Sequence, residues 1–172
     1  MTSQAPTRLH GLPPVIARGT RLVILGSFPG VASLQARQYC GHPRNHFWPL
    51  LGAIWGLGLL VLPYAQRLAE ARRRGLGLWD VYASCLREGS LDTAIEAAEF
   101  NDLASLKRRA PLLQLVAHNG AESARAMKQI VALGLPVQRL PSSSPANATW
   151  SFDRKLQAWR DSFHRAGIAE TA

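Results

Sequence analysis

The stretch that decides the fold is Arg21-Leu22-Val23-Ile24-Leu25-Gly26-Ser27-Phe28-Pro29-Gly30, a short apolar run that ends in a turn rich in glycine and proline. A run of this length with turn residues at its end predicts a buried strand. Three further runs have the same character: Leu76 to Val81, Leu113 to Ala117 and Val137 to Leu140. Helical patterns lie between them. This alternation predicts an α/β fold, a three-layer α/β/α sandwich with a central, mainly parallel sheet of about four strands.

Five segments carry apolar residues at helical spacing. Asn45 precedes the first segment and has the side chain of an N-cap. The arginines that end the second segment, Arg72, Arg73 and Arg74, stand where a helix C-terminus favours cations, so we interpret them as a solvated helix end. The predicted helices cover residues 47–55, 63–74, 101–110, 121–133 and 151–165.

The length of 172 residues and the apolar content of 47% suit one domain with one substantial core. We predict a proline-rich N-terminal arm over residues 1–19 and a single domain over residues 20–172. The arm lacks the apolar run of a signal peptide, and no later stretch is long and apolar enough for a transmembrane helix. We therefore expect a cytoplasmic protein with no membrane partner.

The chain carries 20 Lys and Arg against 11 Asp and Glu, a formal net charge of +9. An excess of this size favours an anionic partner such as nucleic acid. Most of the basic residues are arginine, which suits bidentate phosphate recognition, although a GC-rich genome produces the same bias. The only cysteines are Cys40 and Cys85, which excludes a four-cysteine zinc site, a cysteine-ligated iron–sulfur cluster and a disulfide framework.

The residues that follow the predicted strands are small and polar, and they should meet at one edge because ligands of parallel sheets bind outside the carboxyl ends of the strands. These residues are 26–30, 80–82, 118–120 and 141–147. The connection from Ser27 to Arg44 is also long, and long strand-to-helix loops are commonly functional. It carries aromatic rings and cations, namely Phe28, Arg37, Tyr39, His42 and Arg44.

Several common chemistries do not fit the sequence. The glycines of the first loop lack the spacing of a dinucleotide fingerprint, and a Gly-Lys-Ser/Thr phosphate loop is absent. His42 and His46 are four residues apart but have a proline between them and no third ligand, so we expect no metal and no cofactor. We interpret the two cysteines as inert thiols. The lysines, which we place on polar helix faces away from Schiff-base chemistry, are Lys107, Lys128 and Lys155.

A pocket of neutral polar groups and aromatic rings on a cationic protein suits a nucleobase flipped out of DNA. Three motifs resemble the uracil-DNA glycosylase superfamily over nearly the whole chain: Gly26-Ser27-Phe28-Pro29-Gly30, His42-Pro43-Arg44-Asn45-His46-Phe47-Trp48 and Leu140-Pro141-Ser142-Ser143-Ser144-Pro145. The mismatch-specific uracil and thymine glycosylases of that superfamily carry Asn at the place of Phe28. The Gly-Ser-Phe-Pro form is more similar to the hypoxanthine (deoxyinosine) DNA glycosylase branch.

The resemblance implies a monofunctional DNA glycosylase of base excision repair that hydrolyses the N-glycosidic bond of a deaminated base, with hypoxanthine favoured. It implies that Asn45 is catalytic and holds the hydrolytic water, since an amide is too weak a base to remove a proton. Two alternatives stay open, a mismatch-type uracil glycosylase and a non-catalytic nucleic-acid-binding module in which Phe28 marks lost chemistry. The expected partner is DNA of the nucleoid with a deaminated base, bound by a monomer without an iron–sulfur cluster.

The remaining candidates form a predicted base pocket and a predicted DNA-binding surface. Phe28 either stacks on the base or packs in the core, His118 either bonds the base edge or is a satisfied buried histidine, and the 142–147 loop either contacts phosphate or is an ordinary turn. The predicted base pocket consists of Gly26, Ser27, Phe28, Pro29, Tyr39, Phe47, His118 and Asn119. The predicted DNA-binding residues are Arg37, Arg44, Arg139, Ser142, Ser143, Ser144, Pro145, Ala146 and Asn147.

Overall fold

The computed structural model describes residues 5–170. The strands are β1 (Leu9–His10), β2 (Leu22–Gly26), β3 (Leu76–Asp80), β4 (Tyr82–Leu86), β5 (Glu96–Phe100), β6 (Leu115–Asn119) and β7 (Val137–Leu140). The α-helices are α1 (Val31–Ala36), α2 (Phe47–Trp55), α3 (Tyr64–Arg73), α4 (Leu106–Arg109), α5 (Ala121–Ala124), α6 (Met127–Ala132) and α7 (Phe152–Arg165). Short 3-10 turns occur at Leu59–Val61, Asp92–Ala94 and Leu103–Ser105.

Four strands form the central sheet in the order β3-β2-β6-β7, and every pairing within it is parallel. The register aligns Leu22 with Leu76 and with Leu115, which brings Gly26 beside Asp80 at the far end. The predicted parallel sheet of four strands is confirmed. Because the strands run in the same direction, their carboxyl ends meet at one edge.

Helices cover both faces of this sheet because its strands are apolar on both sides. In β2, Leu22 and Ile24 belong to one core cluster, whereas Val23 and Leu25 belong to the other. The first core contains side chains of α2, α3 and α7, and the second contains side chains of α4 and α6. The three-layer α/β/α architecture is therefore confirmed.

A second sheet, antiparallel and ordered β1-β4-β5, is absent from the sequence-based prediction. Its strand β5 is mostly exposed and β1 has only two residues, so neither carries an apolar pattern that indicates a strand. Through β1 and the bridge from Val15 to Leu78, the segment predicted as an arm contacts the rest of the fold. The boundary between an arm of residues 1–19 and a domain of residues 20–172 stays a prediction, and residues 1–4 lie outside the described range.

Two predicted helices are broken in the structure. Residues 101–110 form a 3-10 turn followed by the single turn of α4, and residues 121–133 are divided into α5 and α6. The long loop after β2 contains α1, which ends at Arg37 with a left-handed φ of 53°. No helix within residues 5–170 is both long and apolar enough to cross a membrane.

Candidate active site

A cleft of about 940 Å³ opens at the edge where the parallel strands end. It is lined by Asp80, the last residue of β3, and by residues that follow β2, β6 and β7. The long loop after β2 contributes Tyr39, Cys40, His42 and Asn45. Gly120, directly after β6, has a φ of +96°, and a Cβ there would lie 3.0 Å from Ser142 Cβ. The glycine therefore lets the segments after β6 and β7 approach each other. The cleft has the size of a ligand pocket.

Asn45 lines the cleft just before α2. Its Oδ1 accepts a hydrogen bond from the backbone N–H of Phe47, the first residue of α2, at 2.9 Å. The N-cap position is His46, whose side chain makes no capping bond, so Asn45 supplies this bond from one residue further out. The bond fixes the plane of the amide and occupies one of the two lone pairs of Oδ1, which leaves the other for a water.

Ser143 joins three of the segments that form the cleft, and only 1% of it is exposed. Its backbone N–H donates to Asn119 Oδ1 at 2.9 Å, and its Oγ accepts from Asn119 Nδ2 at 3.0 Å. Its carbonyl accepts from the backbone N–H of His46 at 2.9 Å. Ser143 therefore holds the end of β6, the loop after β7 and the start of α2 in a fixed relation. Asn119, predicted to contact the base, uses both ends of its amide on this contact.

Three carboxyl groups also line the cleft, those of Asp80, Asp92 and Glu122. Ser27 Oγ donates to Asp92 Oδ1 at 2.6 Å, and the Tyr82 hydroxyl donates to Glu122 Oε1 at 2.7 Å. Asp80 differs from the other two, because it is 6% exposed and its Oδ2 has no hydrogen-bond partner in the described part of the chain. Burial, and to a smaller extent the charge of Asp92, raises the pKa of Asp80 from 3.8 to about 7.

Aromatic rings stand at several points of the cleft lining. The Tyr39 hydroxyl donates to the Pro13 carbonyl at 2.6 Å, and burial raises the pKa of this phenol. Phe28 lines the cleft and also packs in the second core, where the guanidinium of Arg87 lies 5.2 Å from its ring centroid. The core contact expected for Phe28 is thus present, and stacking on a base stays a prediction.

The structure brings most of the predicted base pocket together, but two of its members lie in the core. Phe47 is 1% exposed because α2 turns it inward against Trp48 and Trp159. It packs under the cleft and does not line it. The members that line the cleft are Gly26, Ser27, Phe28, Pro29, Tyr39 and Asn119, together with Asn45.

His118 is the other predicted pocket residue that lies in the core, with no exposed surface. Its Nδ1 lies 2.9 Å from Ser123 Oγ, and that hydroxyl donates its proton to the Leu25 carbonyl at 2.6 Å. The imidazole must therefore be the donor toward Ser123. Burial lowers the pKa of His118 to about 4, so the ring is neutral at physiological pH. The burial favours the buried-histidine alternative over contact with the base, although Nε2 has no hydrogen-bond partner in the described part of the chain.

The predicted DNA-binding residues fall into two groups. Arg37 lines a separate groove beside Arg8 and Arg72, and Arg44 is exposed next to Asn45 without lining the cleft. Arg37 is the C-cap residue of α1 and is not part of the cleft lining. The residues that line the cleft are Arg139, Ser142, Ser143, Ser144, Pro145, Ala146 and Asn147.

The prediction that all three lysines lie on polar helix faces is wrong for Lys155. This side chain has no exposed surface, because α7 packs it against the start of α2, where its Nζ lies 3.2 Å from His46 Nδ1. Burial lowers the pKa of both groups, and the charge of Lys155 lowers that of His46 further.

Burial also raises the pKa of the Cys40 thiol, which disfavours the thiolate. Residues 5–170 contain no cluster of three or more His, Cys, Asp or Glu arranged for a metal ion.

The sequence analysis placed Asp80 at the edge where ligands bind but gave it no role in the site. It did not identify three other side chains of the cleft, those of Asp92, Glu122 and Trp150. Asp92 and Glu122 lie outside every motif, and Trp150, whose ring has the guanidinium of Arg154 at 4.1 Å, precedes the last helix without a local signal.

Known proteins resemble this chain over most of its length. Residues 13–163 match the family model of the uracil DNA glycosylase superfamily. A hypoxanthine DNA glycosylase of Methanosarcina barkeri is 43% identical over 91% of this chain and 98% of its own length. A hypoxanthine DNA glycosylase of Methanosarcina acetivorans is 37% identical over 86% of this chain and 94% of its own length.

The fold has a counterpart among solved structures as well. The solution NMR structure of a candidate uracil DNA glycosylase from Methanosarcina acetivorans superposes with a TM-score of 0.84 at 35% identity, covering 94% of this chain and 99% of that chain. The cleft therefore lies in a DNA glycosylase fold. The chain belongs to the uracil DNA glycosylase superfamily.

Proposed function

We propose that this DNA glycosylase excises hypoxanthine, hydrolysing the N-glycosidic bond of deoxyinosine in DNA as a step of base excision repair. The observation that carries the proposal is the position of Asn45, whose amide lines the cleft with its Oδ1 anchored on the Phe47 N–H at 2.9 Å. Phe28 stands where mismatch-specific uracil glycosylases carry their Asn, which leaves Asn45 as the amide available for water. The names of the two Methanosarcina relatives support the same substrate.

Hydrolysis of this bond needs a water placed under the anomeric carbon and donors that stabilise the departing base. Asn45 Oδ1 holds the water, and because an amide cannot remove its proton, the contribution is positioning. The capping bond prevents rotation of the amide, so the same contact that begins α2 also orients the group for catalysis. Capping and catalysis therefore do not compete for this side chain.

The DNA backbone follows the rim of the cleft in this proposal. Arg139 is exposed at the end of β7, and the loop of residues 142–147 offers hydroxyls and backbone N–H groups to phosphate. The carboxyl groups inside the cleft repel phosphate, so the uncharged base enters and the backbone stays outside. We further propose that the enzyme acts as a monomer on cytoplasmic, nucleoid DNA and needs no metal or iron–sulfur cluster.

The test is single-turnover excision from duplexes that contain hypoxanthine or uracil, read by alkaline cleavage of the abasic product. The parent should release hypoxanthine faster than uracil, and Asn45→Ala should lower that rate by about 100-fold or more while DNA binding persists. Ser151→Ala is the matched control, since Ser151 Oγ caps α7 by accepting from the Arg154 N–H at 3.2 Å and is not part of the cleft. Each variant should lose roughly 1 kcal/mol of stability with its cap.

Two results would contradict the proposal. A parent enzyme that binds the duplexes but releases neither base supports the non-catalytic alternative. A folded Asn45→Ala protein that excises hypoxanthine at the parent rate leaves Asn45 with the cap role alone.

A further inference from the structure

Asp80 is a buried carboxyl of the cleft that water positioning by Asn45 does not use. It ends β3, lines the cleft and is 6% exposed. Its Oδ1 lies so close to Gly26 of the neighbouring strand that a Cβ at that position would overlap it. Asn101 Nδ2 donates to the Asp80 carbonyl at 2.8 Å and holds the end of the strand. The strand end that carries the carboxyl group is therefore fixed at the sheet edge.

No countercharge neutralises this group. None of the ion pairs within residues 5–170 includes Asp80, and its Oδ2 has no hydrogen-bond partner there. The titratable groups that influence it or feel its charge are acids, namely Asp92, Tyr39 and Cys40, and the nearby cation Arg87 acts on Asp92. Burial, and then Asp92, raises its pKa to about 7, so Asp80 keeps a proton in a large fraction of molecules near neutral pH.

Several other donors of the inner cleft are already engaged within the protein. Ser27 Oγ donates to a carboxylate at 2.6 Å, and the Tyr39 hydroxyl donates to a backbone carbonyl at 2.6 Å. Asn119 Nδ2 donates to the Ser143 hydroxyl at 3.0 Å. The proton of Asp80 is thus an acidic proton of the cleft that has no acceptor in the described part of the chain.

Hypoxanthine presents two acceptors on the edge that guanine also carries, N7 and O6. As the base leaves, it takes the electron pair of the C1′–N9 bond and its ring nitrogens become more basic. An acid that protonates N7 lets the base leave uncharged. An ionised carboxylate at the same place would repel the departing anion.

We propose that Asp80 is a second catalytic residue, which donates its proton to N7 of the extruded hypoxanthine as the glycosidic bond breaks. The inference rests on the proposed function and adds a requirement for a purine N7 to it. The C1′–N9 bond breaks with its electron pair moving to the base, the Asp80 proton moves to N7, and the water held by Asn45 forms the new C1′–O bond. The proton that this water loses passes to solvent, from which Asp80 is protonated again.

The test compares two substrates in the parent enzyme and in Asp80→Asn. Deoxyinosine carries the N7 acceptor, and 7-deazadeoxyinosine has a C–H group in its place. Asp80→Asn should lower single-turnover excision of hypoxanthine by about 100-fold, within the range of a lost general acid. Excision of the 7-deaza base should already be slow in the parent and should change little in the variant. Asp102→Asn, which removes an exposed carboxyl outside the cleft, is the matched control and should behave like the parent.

A pH profile supplies a second readout that a structural role would not alter. The parent rate on deoxyinosine should fall by about tenfold per pH unit well above the pKa of Asp80, and the rate of Asp80→Asn should not show this decline. Thermal melting verifies that the variant is folded.

Three outcomes separate this inference from the proposed function. Equal loss on both substrates would overturn it, since Asp80 would then act on the water or the sugar. An unchanged rate and pH profile in folded Asp80→Asn would overturn it while the proposed function stands. No release of hypoxanthine by the parent would overturn both.

Discussion

Replacing Asp80 by asparagine should change how the stability of the protein depends on pH. In the folded protein, burial raises the pKa of Asp80 from 3.8 to about 7, whereas the unfolded chain titrates near the lower value. Between these values the folded state holds a proton that the unfolded state has released, so the free energy of unfolding falls as pH rises through this window. A difference of about three pKa units corresponds to roughly 4 kcal/mol, fully expressed above pH 7. Asparagine has nearly the same shape and cannot ionise, so it avoids this cost.

Urea unfolding of the parent and of Asp80→Asn at pH 5 and pH 8 measures the effect. The free energy of unfolding of the variant minus that of the parent should be larger at pH 8 than at pH 5 by roughly 2–3 kcal/mol. The increase is smaller than the full value of roughly 4 kcal/mol because part of the cost to the parent is already present at pH 5. Asp102→Asn, at an exposed position, should have the same free energy of unfolding as the parent at both pH values. A gap between parent and Asp80→Asn that stays constant from pH 5 to pH 8 refutes the reasoning, since the carboxyl would then titrate alike in both states.

Two further predictions concern the cations. Arg139→Gln should weaken binding to undamaged duplex and reduce the slope of log affinity against log salt by about one. Arg108→Gln on α4 is the control and should leave both the affinity and the slope unchanged. Fluorescence anisotropy across a salt series measures the slopes, and equal slopes for the two variants would contradict a phosphate contact at the cleft. Lys155→Met keeps the buried stem but removes an amine whose pKa burial lowers, so the free energy of unfolding should stay within about 1.5 kcal/mol of the parent. Lys155→Ala should cost about 2–4 kcal/mol because it leaves a cavity. Denaturant unfolding measures both values, and a loss above about 1.5 kcal/mol in the Met variant would mean that the contact with His46 stabilises the start of α2.

The central sheet could be predicted because β2, β3 and β6 are almost entirely buried and read as short apolar runs. Strand β7 is only partly buried, and its short run contains Gln138 and Arg139. Strand β4 begins at Tyr82, with only Val81 between it and the end of β3, so no turn signal separates the two strands in the sequence. Strand β5, Glu-Ala-Ala-Glu-Phe, owes its conformation to pairing with β4, a tertiary effect that its own residues do not indicate.

Only the residues of the candidate site that lie at strand ends or in motifs could be predicted from the sequence. Asn45 and the loop of residues 142–147 belong to motifs, and both line the cleft. Whether a residue near a strand end faces the cleft or the core depends on the pleat and on the neighbouring helix. Phe47 and His118 were therefore assigned to the pocket although they pack in the interior. The environment of Asp80 depends on Gly26, which the register of the sheet brings beside it, and on Asp92, which lies in the 3-10 turn after β4.

Strand β7 pairs on one side only, with β6, and its outer edge is not covered by another strand of the central sheet. The loop that it carries ends in Ser143, whose carbonyl accepts from the N–H of His46 beside Asn45. Edge elements open locally at a lower free energy than the centre of a sheet. A brief detachment of β7 would release Ser143 and with it the hydrogen bond that holds the start of α2 beside Asn45, while β2, β3 and β6 stayed paired. Amide hydrogen exchange should therefore be faster along β7 than along β2 and β6, and on the proposed role of Asn45 heat should end catalysis before it unfolds the core.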